Sequence, residues 1–302
     1  MRVGDTSQGT GEAILVFPVA SPAIQWYVSP QLTATGTYAN TNLFDFTGVL
    51  DQVPPWQKWK NNYSGTTSPI EVLTYTRPTG GGTRKYLRMP YPQHFTTHDG
   101  TSPVNSFNGS AISSNQGYTI WSAIWQGSWN WTTILRYLGS GPLNLNDVTE
   151  AQPGGDNNNI HQFQNAQQAC TVENHYPTPY DASVNYYTQS HAPAYPTQYN
   201  RYIFFYVMSL GPSAPSSAAT GYMDLKVFDT QTNAVYGTPV VNYSTSSTAW
   251  VINTTTTGRP SLIRNTYSSA GNIDIIDMGF ANRPYSAAER ASVMAWLVSS
   301  YT

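Results

Sequence analysis

Residues 271–302 have the sequence GNIDIIDMGFANRPYSAAERASVMAWLVSSYT, which predicts a buried strand followed by a helix. The apolar and β-branched residues from Ile273 to Phe280 are typical of a strand in a core. Ser286 and Glu289 then stand three residues apart, the spacing of a helix N-terminal capping box. Apolar side chains follow at three- and four-residue steps, on one face of the predicted helix: Val293, Met294, Leu297 and Tyr301.

The order of residues in this ending is shared with a known family. The family pattern is a strand of the type I-D-x-hydrophobic, then N-R-x-L-S-x-x-E with two spaced hydrophobic residues, then L-x-x-x-Y. In this chain the matching positions are Asn282, Arg283, Tyr285, Ser286, Glu289, Val293, Trp296 or Leu297, and Tyr301. The ending therefore resembles the laminin-G-like, concanavalin A-like sandwich family, with Tyr285 where the family usually has Leu. An arbitrary capped terminal helix is the alternative.

The resemblance implies an all-β fold, an antiparallel jelly-roll sandwich with long loops and one short C-terminal helix. It covers about Ser106 to Thr302, and residues 1–105 are predicted to form an irregular N-terminal arm and the first strands. The alternative to this division, a single domain over the whole length, stays open. The family includes lectins, receptor modules, glycosidases and viral surface proteins, so the resemblance predicts a fold and no particular reaction.

Further strands follow from apolar, aromatic and β-branched runs between Gly and Pro turns. Residues 139–200 contain no run of this kind and form the largest irregular block. The predicted strands are Ile14–Phe17, Ile24–Val28, Leu43–Phe46, Val72–Thr76, Tyr86–Met89, Tyr118–Trp125, Thr133–Leu138, Tyr202–Met208, Tyr222–Phe228, Ala234–Tyr236, Trp250–Ile252 and Leu262–Ile263.

The composition narrows the class of protein. Charged residues make up only 10% of the 302 residues and the net charge is −2, which argues against binding to nucleic acid or to an anionic membrane surface. Cys170 is the only cysteine, so no disulfide can form within the chain. No apolar stretch is long enough for a transmembrane helix, and the first residues lack a signal-peptide pattern. We expect an exposed β protein, at a virion surface or otherwise extracellular.

Carboxylates are the residues on which a glycosidase of this fold would depend, since such enzymes set two of them across a cleft. The nearest pair is Asp274 and Asp277. A separation of three places them on opposite faces of a regular strand. Cys170 lacks the sequence context of a nucleophile. We therefore predict a protein that is not an enzyme, with glycoside hydrolysis as the weakest alternative.

Metal binding has two candidate regions. His94 and His98 have the ligand spacing of a helical site, but the prolines around them favour a loop. Oxygen-bearing residues cluster in the irregular block, where they suit calcium but also serve as ordinary turn formers. No cofactor is required, and calcium is possible at Asn146, Asp147, Glu150 and Asp156.

Aromatic residues in the predicted loops are the candidate binding groups. They can stack on sugar rings or fill contacts between subunits, where Tyr and Trp are enriched. These residues are Trp56, Trp59, Trp129, Trp131, Tyr176, Tyr180, Tyr186, Tyr187 and Tyr195.

Two functions of different classes follow from these observations. The first is a non-enzymatic structural subunit at the surface of a large assembly such as a virion, in a capsid-associated, spike or fibre protein. Its partners would be other copies or other structural proteins of the assembly. The second is a lectin-like module that binds host glycans. The two are compatible, and neither involves nucleic acid or insertion into a membrane.

Overall fold

The computed structural model describes residues 15–39, 42–51, 58–61, 69–90, 93–97, 118–125, 132–138, 161–166, 169–173, 202–210, 220–244, 259–264 and 272–302. These ranges contain sixteen strands, one short 3-10 turn at Pro30–Leu32 and one α-helix. The strands are β1 Ile24–Val28, β2 Gly36–Tyr38, β3 Leu43–Asp45, β4 Lys58–Asn61, β5 Ile70–Thr76, β6 Thr83–Pro90, β7 Gln93–Thr97, β8 Tyr118–Trp125, β9 Thr132–Leu138, β10 His161–Ala166, β11 Ala169–Glu173, β12 Tyr202–Leu210, β13 Thr220–Asp229, β14 Ala234–Ser244, β15 Arg259–Arg264 and β16 Asn272–Ala281, and the helix is α1 Ala287–Tyr301.

The strands form two sheets in which every pair of named strands is antiparallel. The nine-stranded sheet has the order β14-β13-β12-β8-β16-β6-β5-β2, and the seven-stranded sheet has the order β11-β10-β9-β15-β7-β4-β3. The ninth strand of the first sheet is β1. It pairs with the second half of β16, along the same edge on which β6 pairs with the first half. The predicted all-β class, with antiparallel sheets and one C-terminal helix, is confirmed.

Aromatic side chains bridge the two sheets. Trp26 and Phe280 of the nine-stranded sheet stack on each other at 5.9 Å, and Trp26 meets Trp59 edge-on at 5.7 Å. Trp59 belongs to the seven-stranded sheet and stacks on Phe95 at 5.3 Å. All four side chains are buried, so this group forms the core between the sheets. Trp59 was predicted as an exposed loop residue, and the structure corrects this because β4 turns its side chain inward.

A second core lies between the nine-stranded sheet and α1. The helix buries the predicted face, and these side chains pack on β8, β12 and β13. The predicted capping box at its start is confirmed: Ser286 Oγ accepts from the Glu289 amide at 3.3 Å, and Glu289 accepts from the Ser286 amide at 2.8 Å. The Arg283 guanidinium donates two hydrogen bonds to the Glu289 carboxylate, and these lower the pKa of Glu289 to about 2.

The end of α1 is held by the turn between β5 and β6. The backbone amides of Thr79 and Gly80 donate to the Thr302 carbonyl at 2.6 and 3.0 Å. Arg77 and Arg84 donate to the carbonyls of Ser299 and Ser300, at 2.7 and 3.0 Å. Cationic groups suit this position, because the carbonyl end of a helix carries partial negative charge. The terminal helix is therefore fixed at both ends.

Most predicted strands are found within one or two residues of their predicted bounds, but three expectations are wrong. The segment Ile14–Phe17 contributes only an isolated bridge between Leu15 and Leu50. The loop expected around His94 and His98 contains strand β7. The irregular block contains the β10–β11 hairpin, whose polar sequence carries little strand signal. The predicted strand Trp250–Ile252 lies outside the described residues.

Residues before position 105 supply β1 to β7, and these strands belong to both sheets. Three of them pair with strands near the C-terminus, β1 and β6 with β16 and β7 with β15. The first hundred residues and the last fifty thus complete the same two sheets.

Candidate functional site

A β-bulge in β16 changes the positions of the two aspartates. Asp274 pairs with Trp125, whereas Asp277 pairs with Ala123, and the register shifts between Ile275 and Asp277. Residues directly opposite each other in a sheet share a face, and so do residues two apart on one strand. Asp274 and Asp277 therefore lie on the same face, the one that α1 covers. The sequence expectation of opposite faces is wrong, because the bulge inserts an extra residue between them.

Asp277 is the centre of a buried hydrogen-bonded cluster. The hydroxyls of Tyr27 and Tyr301 both donate to its Oδ2, and Trp121 Nε1 donates to Oδ1 at 3.1 Å. Asp277 is 0% exposed, and burial raises the pKa of its carboxyl to about 7 against the lowering effect of these hydrogen bonds. The cluster joins β1, β8, β16 and α1. The fully buried carboxyl therefore links these four elements through its hydrogen bonds.

Asp274 has a different environment at the other end of the bulge. Arg88 binds it with two hydrogen bonds, from Nε at 3.0 Å and from an Nη at 2.8 Å. Asp274 is fully buried, while the Arg88 side chain is 23% exposed and its guanidinium lies 5.4 Å from the centre of the Tyr86 ring. The pair therefore brings a fixed guanidinium to the surface of the sheet.

Strand pairing places five side chains side by side on this face. Each is directly opposite the next across neighbouring strands, from β2 through β5, β6 and β16 to β8. We call this set the cross-strand row, and its members are Thr37, Glu71, Arg88, Asp274 and Trp125.

Trp125 closes the row with a partly exposed side chain, which packs against the core under α1 and whose indole nitrogen is buried. Its ring lies 4.5 Å from that of Tyr75 and 5.5 Å from that of Tyr86, and these two rings fix its position. Thr37, at the other end, is exposed, while Glu71 and Arg88 are partly exposed. Four members of the row thus reach the surface, with an aromatic group at one end and guanidinium, carboxylate and hydroxyl groups toward the other, while Asp274 is fully buried. These four groups suit hydrogen bonding and stacking with a polar ligand.

Most of the predicted loop aromatics belong to two segments that adjoin β8 and β12 in the sequence. The segment with Trp129 and Trp131 begins directly after Trp125. The segment with the five predicted tyrosines ends at β12, in which Ile203 pairs with Trp125. The residues themselves lie outside the described part of the chain: Trp56, Trp129, Trp131, Tyr176, Tyr180, Tyr186, Tyr187 and Tyr195.

The candidate calcium ligands Asn146, Asp147, Glu150 and Asp156 also lie outside the described residues. Within the described ranges, no group of three or more His, Cys, Asp or Glu side chains is arranged to hold a metal ion. In the same ranges, no helix has the length and apolar character needed to cross a membrane.

Comparisons with known proteins give distant structural likenesses. No protein-family model matches the chain, and no curated protein sequence matches it. A GH54 α-L-arabinofuranosidase mutant has a TM-score of 0.44 at 10% identity over 81% of this chain and 48% of its own. The botulinum neurotoxin serotype G binding domain has a TM-score of 0.38 at 9% identity, over 87% and 51%. A carbohydrate esterase of the Shiga toxin-encoding bacteriophage phi24B has a TM-score of 0.39 at 13% identity, over 81% and 98%.

The chain spans about half the length of the first two of these proteins. Likenesses at this distance assign neither a family nor an activity, so the function has to be argued from the residues of this chain.

Proposed function

We propose that this chain is a non-enzymatic, carbohydrate-binding surface subunit of a large assembly such as a virion, built on a laminin-G-like, concanavalin A-like sandwich. The observation that carries the binding role is the cross-strand row, which combines a partly exposed Trp125 with a fixed guanidinium and a carboxylate. Sugars offer apolar ring faces and hydroxyl groups, and such a surface can bind both.

The non-enzymatic role is supported by the states of the two aspartates that the bulge brings onto one face. Asp274 is fully buried under two hydrogen bonds from Arg88. Asp277 is fully buried among tyrosine hydroxyls. A glycosidase needs one carboxyl to protonate its substrate and another to attack it or to activate water. Two carboxyls that are engaged in this way support a structural role for the pair.

The assembly role is supported by composition. Only 10% of the residues are charged, while 14% are aromatic, a balance that favours contact surfaces between subunits over a strongly solvated surface. Other copies of the chain or other structural proteins are the expected partners. A subunit of this kind, produced alone, is expected to form oligomers or to aggregate through apolar contact patches.

A glycan array with the purified full chain, run with and without EDTA, tests the binding role, and sedimentation velocity on the same sample tests the assembly role. We expect specific glycan binding together with species larger than a dimer. Loss of binding in EDTA would assign calcium to the site, and unchanged binding would exclude it. A silent array would overturn the binding role, a strict monomer would overturn the assembly role, and release of sugar from a bound glycan would overturn the non-enzymatic role.

A further inference from the structure

We propose that the cross-strand row binds a neutral, unbranched oligosaccharide that lies across the strands of the nine-stranded sheet. The inference rests on the proposed carbohydrate-binding function and adds the residues, the direction of the ligand and its charge. The five residues lie on five different strands, so only strand pairing brings them together.

The length and direction of the row suit a linear ligand. Neighbouring strands in a sheet lie about 4.8 Å apart, so five side chains on five adjacent strands span about 19 Å. That distance accommodates several sugar rings in line, which would contact Thr37, Glu71, Arg88 and Trp125 and pass over the fully buried Asp274. A straight row on a sheet offers contacts along a single direction, which favours an unbranched chain over a branched one.

The groups of the row divide into a stacking end and a hydrogen-bonding end. Trp125 is held by Tyr75 and Tyr86, so a sugar ring that stacks on it meets a surface already in place. Arg88 is held by two hydrogen bonds to Asp274 and therefore loses little side-chain entropy when it donates to a ligand hydroxyl. Glu71 and Thr37 extend the polar end toward the edge of the sheet.

Charge along the row selects for a neutral ligand. The Arg88 guanidinium is neutralised by the buried Asp274 carboxylate, with which it makes an ion pair at 2.8 Å. Glu71 then leaves the row with a net negative charge. A sialylated or sulfated glycan would meet repulsion from this carboxylate, whereas neutral hydroxyl groups can donate hydrogen bonds to it.

The test uses an array of neutral unbranched, neutral branched and sialylated glycans, probed with the full chain and three variants. Glu71→Gln removes the charge, Trp125→Phe removes part of the stacking surface, and Thr74→Val is the matched control on the opposite face of β5. Affinity for the best neutral glycan is then measured by calorimetry. The midpoint of thermal unfolding confirms that each variant is folded.

We expect the wild-type chain to prefer neutral unbranched glycans. Replacing the charged acceptor by a neutral amide should weaken binding by about fivefold to tenfold in Glu71→Gln. The same variant should bind sialylated glycans relatively better, an effect that a purely structural role for Glu71 would not produce. Trp125→Phe should also weaken binding, and Thr74→Val should leave it unchanged.

Each contrary outcome identifies what fails. Wild-type binding that is unaffected by Glu71→Gln would remove the row as the site while leaving the carbohydrate-binding function in place. A wild-type preference for sialylated or branched glycans would overturn the ligand class. An array without any binding would overturn both this inference and the proposed function.

Discussion

The Asp277 carboxyl links the stability of the fold to pH. Its pKa in the folded chain is about 7, against an ordinary value of 3.8, because the group is fully buried. The folded chain therefore holds the proton more tightly than the unfolded chain does. The contribution of Asp277 to the free energy of unfolding is then highest below pH 3.8 and falls as the pH rises toward 7. At roughly 1.4 kcal/mol per pKa unit, the loss over this window is about 4 kcal/mol.

Asp277→Asn removes the titration while it keeps the size and shape of the side chain. Urea unfolding followed by tryptophan fluorescence, at fixed ionic strength and at several pH values from 4 to 8, measures the slope. We expect the wild-type chain to lose about 4 kcal/mol between pH 4 and 7.5, and Asp277→Asn to lose almost none of this. Asp45→Asn is the matched control, since that aspartate is exposed at the end of β3.

Glu289 affects stability in a separate pH window. The pKa of Glu289 is lowered to about 2 by Arg283, so its contribution to stability is present above pH 4.5 and lost as the pH falls through 2. It does not mask a slope between pH 4 and 7. Equal slopes in the wild-type chain and in Asp277→Asn would refute the reasoning, because the buried carboxyl would then not be the group that titrates.

Three further variants test the packing. Gly279→Ala places a Cβ 2.0 Å from the Trp121 ring, so unfolding should become easier by about 1–3 kcal/mol or more, as a lower thermal midpoint would show. Ser286→Ala removes the hydroxyl that accepts from the Glu289 amide and should cost about 1 kcal/mol in urea unfolding; no change would mean that the cap is dispensable. Arg88→Met removes the ion-pair partner of the fully buried Asp274 carboxylate and should cost roughly 3 kcal/mol in urea unfolding at pH 7; unchanged stability would mean that the ion pair adds nothing to the fold.

Local sequence was enough to predict the terminal strand, the capped helix and most of the other strands. The capping box depends on atoms three residues apart, between Ser286 and Glu289, and the apolar face of α1 depends on steps of three and four residues. Such contacts form within one segment, so the pattern of residue types predicts them. Two of the predicted strands, β13 and β14, are joined by the short turn at 230–233, so their pairing also forms within one segment.

Contacts between distant segments were decided only by the tertiary structure. Tyr27 and Asp277 are 250 positions apart, and no pattern within either segment marks one as the partner of the other. The cross-strand row also depends on the register of four strand pairs, and a one-residue shift turns a side chain to the opposite face. The bulge in β16 makes such a shift, and it places Asp274 and Asp277 together although their spacing predicts the reverse. Sequence periodicity determines which residues of a strand share a face, but only pairing with other strands determines which face that is and what lies beside it.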